Sequence, residues 1–264
     1  MITIDTQNKL RERFNPEGSL LRKHQYRMFE MLQYLDSLCK EHHIKYWLSS
    51  GTLLGAVRHG GFIPWDDDLD IEMLREDYLR LEKILEKETV YDFQSYKTDP
   101  FYRLPFGKLR DKNSQIEEHG RDIDYKYKGI FVDLFIMEYS HSLSARGVFW
   151  IIRQITAFSL KSNNPTRKKI FLSLKKIIFN IIPIIRFIDR LIPRRKLCHT
   201  YGASCRIQRK SNELFPLSEV TFEGQTFPAP RDSDAYLRRI FGNYNELPNE
   251  EQIAPHISTV RFFE

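Results

Sequence analysis

The apolar positions of this chain change period several times, and each change marks an element. Over residues 20–42, LLRKHQYRMFEMLQYLDSLCKEH, apolar side chains recur at Leu21, Met28, Met31, Leu32, Leu35 and Leu38, a spacing that predicts one amphipathic helix. IKYWLSS reads as a short strand ended by Gly51, and TLLGAVRH predicts a brief helix entered through a small-residue turn. The period then becomes two. From Asp68 the residues alternate strictly, so Asp68, Asp70 and Glu72 share one face of a predicted strand, and Leu69, Ile71 and Met73 share the other. REDYLRLEKILEKE returns to helical spacing, and RLPFGKLRD and GIFVDLFIM read as further strands.

From about residue 143 to 200 the pattern is apolar and basic, predicting helices interrupted at Pro165, Pro183 and Pro193. VTFEGQTFPAP predicts a hairpin turning at Glu223–Gly224. DSDAYLRRIFG predicts a helix with Asp232 or Ser233 as N-cap and Gly242 at its end. Together these elements predict an α/β (α+β) fold in one domain over residues 1–264. Its parts are a mixed-sheet core at 20–140 flanked by helices, a basic helical insertion at 143–200, and a C-terminal hairpin and helix at 201–264 that pack back on the core.

Composition narrows the class. With 264 residues, 41% hydrophobic and 13% aromatic, the chain has ample material for a packed core. The net charge of +6 is regional: between Arg146 and Lys210 many lysines and arginines stand against the acid Asp189 alone. These cations are interleaved with aliphatics rather than with stacking aromatics, so no nucleic-acid partner is expected. Three cysteines without metal-type spacing suit free thiols in a reducing compartment. The start, MITIDTQNKLRERF, has no signal-type apolar run, and no stretch is apolar enough for a span, so a cytoplasmic location is expected.

Like charges side by side on a strand repel, so the row Asp68, Asp70, Glu72 asks for something positive opposite it. Such carboxylates suit Mg²⁺, a hard cation that shares its shell with substrate phosphates. Asp133 is the one charge inside the apolar strand GIFVDLFIM and asks for a metal or a cation. Ser49, Ser50, Gly51 and Thr52 stand at a strand-to-helix turn whose N–H groups suit an anion. Lys108 and Arg110 share one strand face, and with Arg58 and His59 they are placed to surround a diphosphate. Singly, each is ordinary turn or surface chemistry. In this order they are the layout of a nucleotidyltransferase fold with a phosphoryl-transfer pocket.

The run SSGTLLGAVRHGGFIPWDDDLDI resembles the signature of the LicD family, phosphocholine transferases of bacterial glycans related to fukutin. GKLRDKNS, GIFVDLFIM and FEGQTFPAPRDSDAYLRRIFGNYNELP add weaker likeness. The resemblance implies a transferase that uses Mg²⁺, as two ions and with Mn²⁺ as the alternative, and a CDP-linked donor, typically CDP-choline. It implies a hydroxyl acceptor on a lipopolysaccharide, teichoic acid or capsule glycan or its lipid-linked precursor, with release of CMP. Carried over, the metal carboxylates are Asp68, Asp70 and Asp133 with Asp66 as a further ligand, Asp68, Asp70 and Asp133 being catalytic, and Ser50, Gly51 and Thr52 contact phosphate. One departure is Gly60, where many relatives are expected to carry lysine. Alternatives are transfer of ribitol or glycerol phosphate, a true nucleotidyltransferase releasing pyrophosphate, and, from another class, a basic nucleic-acid-binding module. Trp47, Trp65, Tyr102, Phe106 and Tyr125 lie near the motifs as aromatic faces for a quaternary ammonium, with none assigned. Residues 167–196 have two readings: a helix lying on the inner face of an anionic membrane, or core helices with a solvated basic rim.

Overall fold

The computed structural model describes residues 2–118, 124–160, 165–193, 195–204, 207–249, 253 and 259–263. The predicted long helix is α2 (Leu20–Glu41), capped by the Ser19 hydroxyl, and it follows α1 (Ile4–Phe14), which the apolar pattern did not mark. Chain order continues β1 (Trp47–Leu48), α3 (Ser50–His59), β2 (Asp70–Leu74), α4 (Arg75–Leu85), β3 (Asp92–Gln94), β4 (Gly107–Arg110), β5 (Ser114–Glu117) and β6 (Phe131–Ser140). Then come α5 (Ser142–Leu160), α6 (Pro165–Leu191), β7 (Lys196–His199), α7 (Ser211–Leu214), β8 (Ser218–Phe222), β9 (Gln225–Ala229), α8 (Ser233–Phe241) and β10 (Thr259–Phe262).

The main sheet is mixed, in the order β1-β2-β6-β4-β3. β2 and β6 run parallel, while β1, β4, β3 and β7 pair antiparallel with their neighbours. The ten-residue β6 is the spine: β4 takes the first half of one edge, β7 the second half, and β2 the other edge. Leu69, Ile71 and Met73 are fully buried with Val132 and Leu134 and with Met31, Leu32 and Leu35 of α2, the outcome the alternation predicts.

Four expectations are corrected. β2 begins at Asp70, so Asp68 lies on the approach to the strand. α6 starts at Pro165, where a missing N–H costs nothing, but runs on through Pro183 instead of breaking there. β7, inside the predicted insertion, returns to the sheet, which leaves α5 and α6 as an appended helical hairpin. Against the expectation of free thiols, Cys39 is free and buried but Cys198 is disulfide-bonded. The C-terminal hairpin turns at Glu223 and Gly224, both at positive φ (49° and 80°), and β9 packs on β1 while β8 packs on α3. Among the described residues, no helix is long and apolar enough to cross a membrane.

Candidate active site

The turn from β1 into α3 is tied to the start of β2. The Ser49 N–H donates to the Asp70 carbonyl at 3.2 Å, and the Asp70 N–H donates to Thr52 Oγ1 at 2.8 Å. Ser50 enters the helix with φ of 46°, a left-handed conformation that costs a non-glycine residue energy and clusters at functional sites. A Cβ added at Gly51 would stand 2.8 Å from Asp66 Oδ2 and 3.9 Å from Asp68 Oδ1, so only glycine lets the helix N-terminus approach the acids this closely. That end carries free N–H groups and the positive pole of the helix. The buried Ser49 hydroxyl beside it has no hydrogen-bond partner among the described residues.

The loop carrying Asp66–Asp68 is held from two sides. Gln25 of α2 donates to the carbonyls of Ile63 (3.3 Å) and Asp66 (2.9 Å). Glu223, at the hairpin turn, accepts from the Phe62 N–H at 3.0 Å and from Arg22 at 2.7 Å. His24 faces Asp67 and Asp68, and burial lowers its pKa to about 4, so it stands there neutral.

Parallel pairing puts Asp70 beside Asp133, and antiparallel pairing puts Lys108 on the other side of Asp133 and Gln94 beyond it. The result is a buried row, carboxylate, carboxylate, ammonium, amide, across four strands. Lys108 Nζ lies 3.2 Å from Asp133 Oδ1 and sits over the Phe131 ring. Burial, reinforced by Asp68, Asp133 and Asp66, pushes the Asp70 carboxyl well above its ordinary range. Burial also raises Asp133 to about 6, with Lys108 pulling the other way. Among the described residues, no group of three or more His, Cys, Asp or Glu side chains is gathered closely enough to grip a metal ion. Carboxylate oxygens are nevertheless the donor type a hard cation takes, and the mutual repulsion of Asp66, Asp68, Asp70 and Asp133 favours added positive charge.

The other sequence-predicted residues go elsewhere. Arg110 is fully buried and donates to Gln94, the Gly129 carbonyl and Glu118, which gives its guanidinium a structural place rather than a free phosphate-facing one. Arg58 donates to the carbonyls of Tyr244 and Glu246 and to His59 Nε2. His59 Nδ1 meets Gln7 at 2.5 Å, and burial, with Arg58 and Arg11, lowers its pKa to about 3. Both therefore join α3 to α1 and the C-terminal segment.

Glu72, the third acid of the predicted face, has its positive neighbours in place. Fully buried, it accepts from Trp47 Nε1 (2.9 Å), Arg209 Nη2 (2.8 Å) and Tyr236 OH (2.7 Å), with His199 Nε2 at 2.9 Å. Burial alone would raise its pKa, and Arg209 and His199 outweigh burial and hold it low. No sequence spacing links these partners, so the signal was absent from the chain pattern. Of the aromatic candidates, Trp47 is spent on Glu72, Trp65 packs edge-on with Phe14, Tyr102 pairs with Tyr125, and Phe106 packs on Phe135. His256, in QIAPHIST, lies outside the described residues.

The chain is 25% identical over 257 residues to the lipopolysaccharide cholinephosphotransferase LicD of Haemophilus influenzae, covering 89% of this chain and 95% of that protein. It is 40% identical over 55 residues to the ribitol 5-phosphate transferase FKRP of mouse and of human, covering 21% of this chain and 11% of theirs. The family model described as LicD/FKTN/FKRP, nucleotidyltransferase domain, matches residues 43–180, just over half of the chain and both strands that carry the acid row. The chain belongs to the LicD/FKTN/FKRP nucleotidyltransferase-domain family.

Proposed function

We propose that this protein is a Mg²⁺-dependent transferase that moves phosphocholine from CDP-choline to a hydroxyl of a glycan and releases CMP. The observation that carries the reading is the register that sets Asp70 beside Asp133, with Asp66 and Asp68 against the N-terminus of α3 at Gly51. Asp66, Asp68, Asp70 and Asp133 would hold the metal, which when bound neutralises the donor diphosphate and polarises its phosphoryl oxygens. The N–H groups of Ser50, Gly51 and Thr52 bind phosphate oxygens at the helix end. Lys108 balances the charge of Asp133 and orients its carboxylate. The acceptor hydroxyl attacks the phosphorus that bears choline, the bond from that phosphorus to the CMP oxygen breaks, and Asp70 or Asp133 takes the hydroxyl proton.

Choline is favoured over a polyol phosphate by extent of likeness: the cholinephosphotransferase matches along nearly its whole length, the ribitol 5-phosphate transferase over 11% of its own. Calorimetry with CDP-choline, with and without Mg²⁺, tests the reading without the acceptor. Metal-dependent binding is expected, with loss of about tenfold or more in Asp68→Asn and Asp70→Asn. A folded wild type that binds CDP-ribitol, CDP-glycerol or a nucleoside triphosphate but not CDP-choline would overturn the choline assignment.

A further inference from the structure

The appended hairpin buries one face of its own. Ala145 and Val148 of α5 pack with Ile182 of α6, Cys198 and Tyr201 in a cluster apart from the main core. Asp189 fixes the hairpin's base, accepting from the His141 N–H (2.9 Å), Ser144 Oγ (2.8 Å) and Tyr201 OH. Lys168 pairs with Asp124 at 2.5 Å near one end of α6, and Arg186 clamps Glu138 at 2.5 and 2.9 Å near the other. These contacts tie the hairpin to the sheet domain at both ends of α6.

Beside its buried face α6 carries a second apolar row that no described element covers. Leu174, Ile177, Ile181, Ile184, Ile188 and Leu191 follow one another in steps of three and four and are 38% to 73% exposed. That spacing lines them along one face of a 27-residue helix, a continuous stripe rather than the scattered single hydrophobics of an ordinary surface. Trp150 of α5 adds a ring 62% exposed.

Charge identifies what covers the stripe. Arg146, Arg153, Arg167, Lys169, Lys176 and Arg190 are exposed on the two helices, whereas their one acid, Asp189, is 2% exposed and fully engaged. At the C-terminal end of α6, Tyr139, Arg190, Leu191 and Arg195 border an open depression of about 390 Å³. Cations of this kind pair with phosphates while an apolar stripe on the same helix enters an acyl layer. A second copy of the chain would press like charges together, and a nucleic acid would leave the aliphatic row in water. We propose that the α5–α6 hairpin docks the protein on an anionic lipid bilayer, with α6 lying in the interface plane. The proposal is independent of the donor assignment, because its test uses no nucleotide.

The test is flotation of the full chain with vesicles of phosphatidylglycerol and phosphatidylcholine, and of phosphatidylcholine alone, at low and high salt. The wild type is expected to float with the anionic vesicles and to lose most of that binding without phosphatidylglycerol. Lys169→Glu, Lys176→Glu and Arg190→Glu combined should lower partitioning by roughly 100-fold or more. Ile177→Ser with Ile184→Ser should lower it by about tenfold with unchanged circular dichroism. All five positions are exposed, so the variants keep their fold. A wild type that stays in the soluble fraction with anionic vesicles, or a triple variant that floats as well as wild type, would overturn the proposal. So would a wild-type dimer that the serine variant dissolves, since the stripe would then belong to a second copy.

Discussion

Asp70 and His59 are both buried, in different parts of the molecule, and burial opposes the charged form of each. Asp70 has Asp133 beside it in register and Asp68 and Asp66 near, so its ionised form strains the metal-free fold. Asp70→Asn is therefore expected to raise the melting midpoint of the metal-free protein at neutral pH, by about 2–4 °C for each kcal/mol relieved, while it abolishes transfer. Scanning calorimetry beside an activity assay checks both halves. His59 works in the other direction. Its pKa falls from 6.5 to about 3, so the unfolded chain binds a proton that the folded one refuses, and stability drops as pH falls through that window. Urea midpoints between pH 7 and 4 should show a loss on the order of 2–3 kcal/mol from this group, and His59→Gln should flatten the slope.

At the scale of elements, the strand β2 is fixed by a buried side chain, Glu72. Glu72 receives donors from β1, β7, α8 and the segment after β7, so Glu72→Ala would leave Arg209 buried without its anion. A cost of about 3–5 kcal/mol follows, read as a shift in the urea midpoint. β2 was legible in the chain because one face alternates apolar into the core, and the hairpin turn because Glu223–Gly224 needs positive φ at both positions. α8 was legible from its cap: Asp232 accepts from the Ala235 N–H, and Gly242 ends the helix. β7 and β10 were not: β7 lies in a basic, apolar stretch that reads as helix, and β10 is a four-residue strand at the end of a polar segment. Lys108 and Arg110 were correctly set on one strand face, but which faces the acids and which is walled in by Gln94, Gly129 and Glu118 depends on long-range packing.

For the whole molecule, the acid row, the helix end at Gly51 and the exposed apolar stripe of α6 come from different parts of the chain. The conserved-length likeness to the cholinephosphotransferase spans all of them, whereas the family match stops at residue 180, before β7, Arg209 and Tyr236. Those later residues close the Glu72 network, at sequence separations of 127, 137 and 164 from it, against 25 for Trp47. A contact map this non-local makes for slow assembly, since distant segments must be brought together before their bonds repay the loss of freedom. On the ribosome, then, strand β2 emerges long before its partners. A carboxylate destined for a dry interior waits in water through the synthesis of more than half the chain, and its last donor arrives only when the helix bearing Tyr236 has left the exit tunnel.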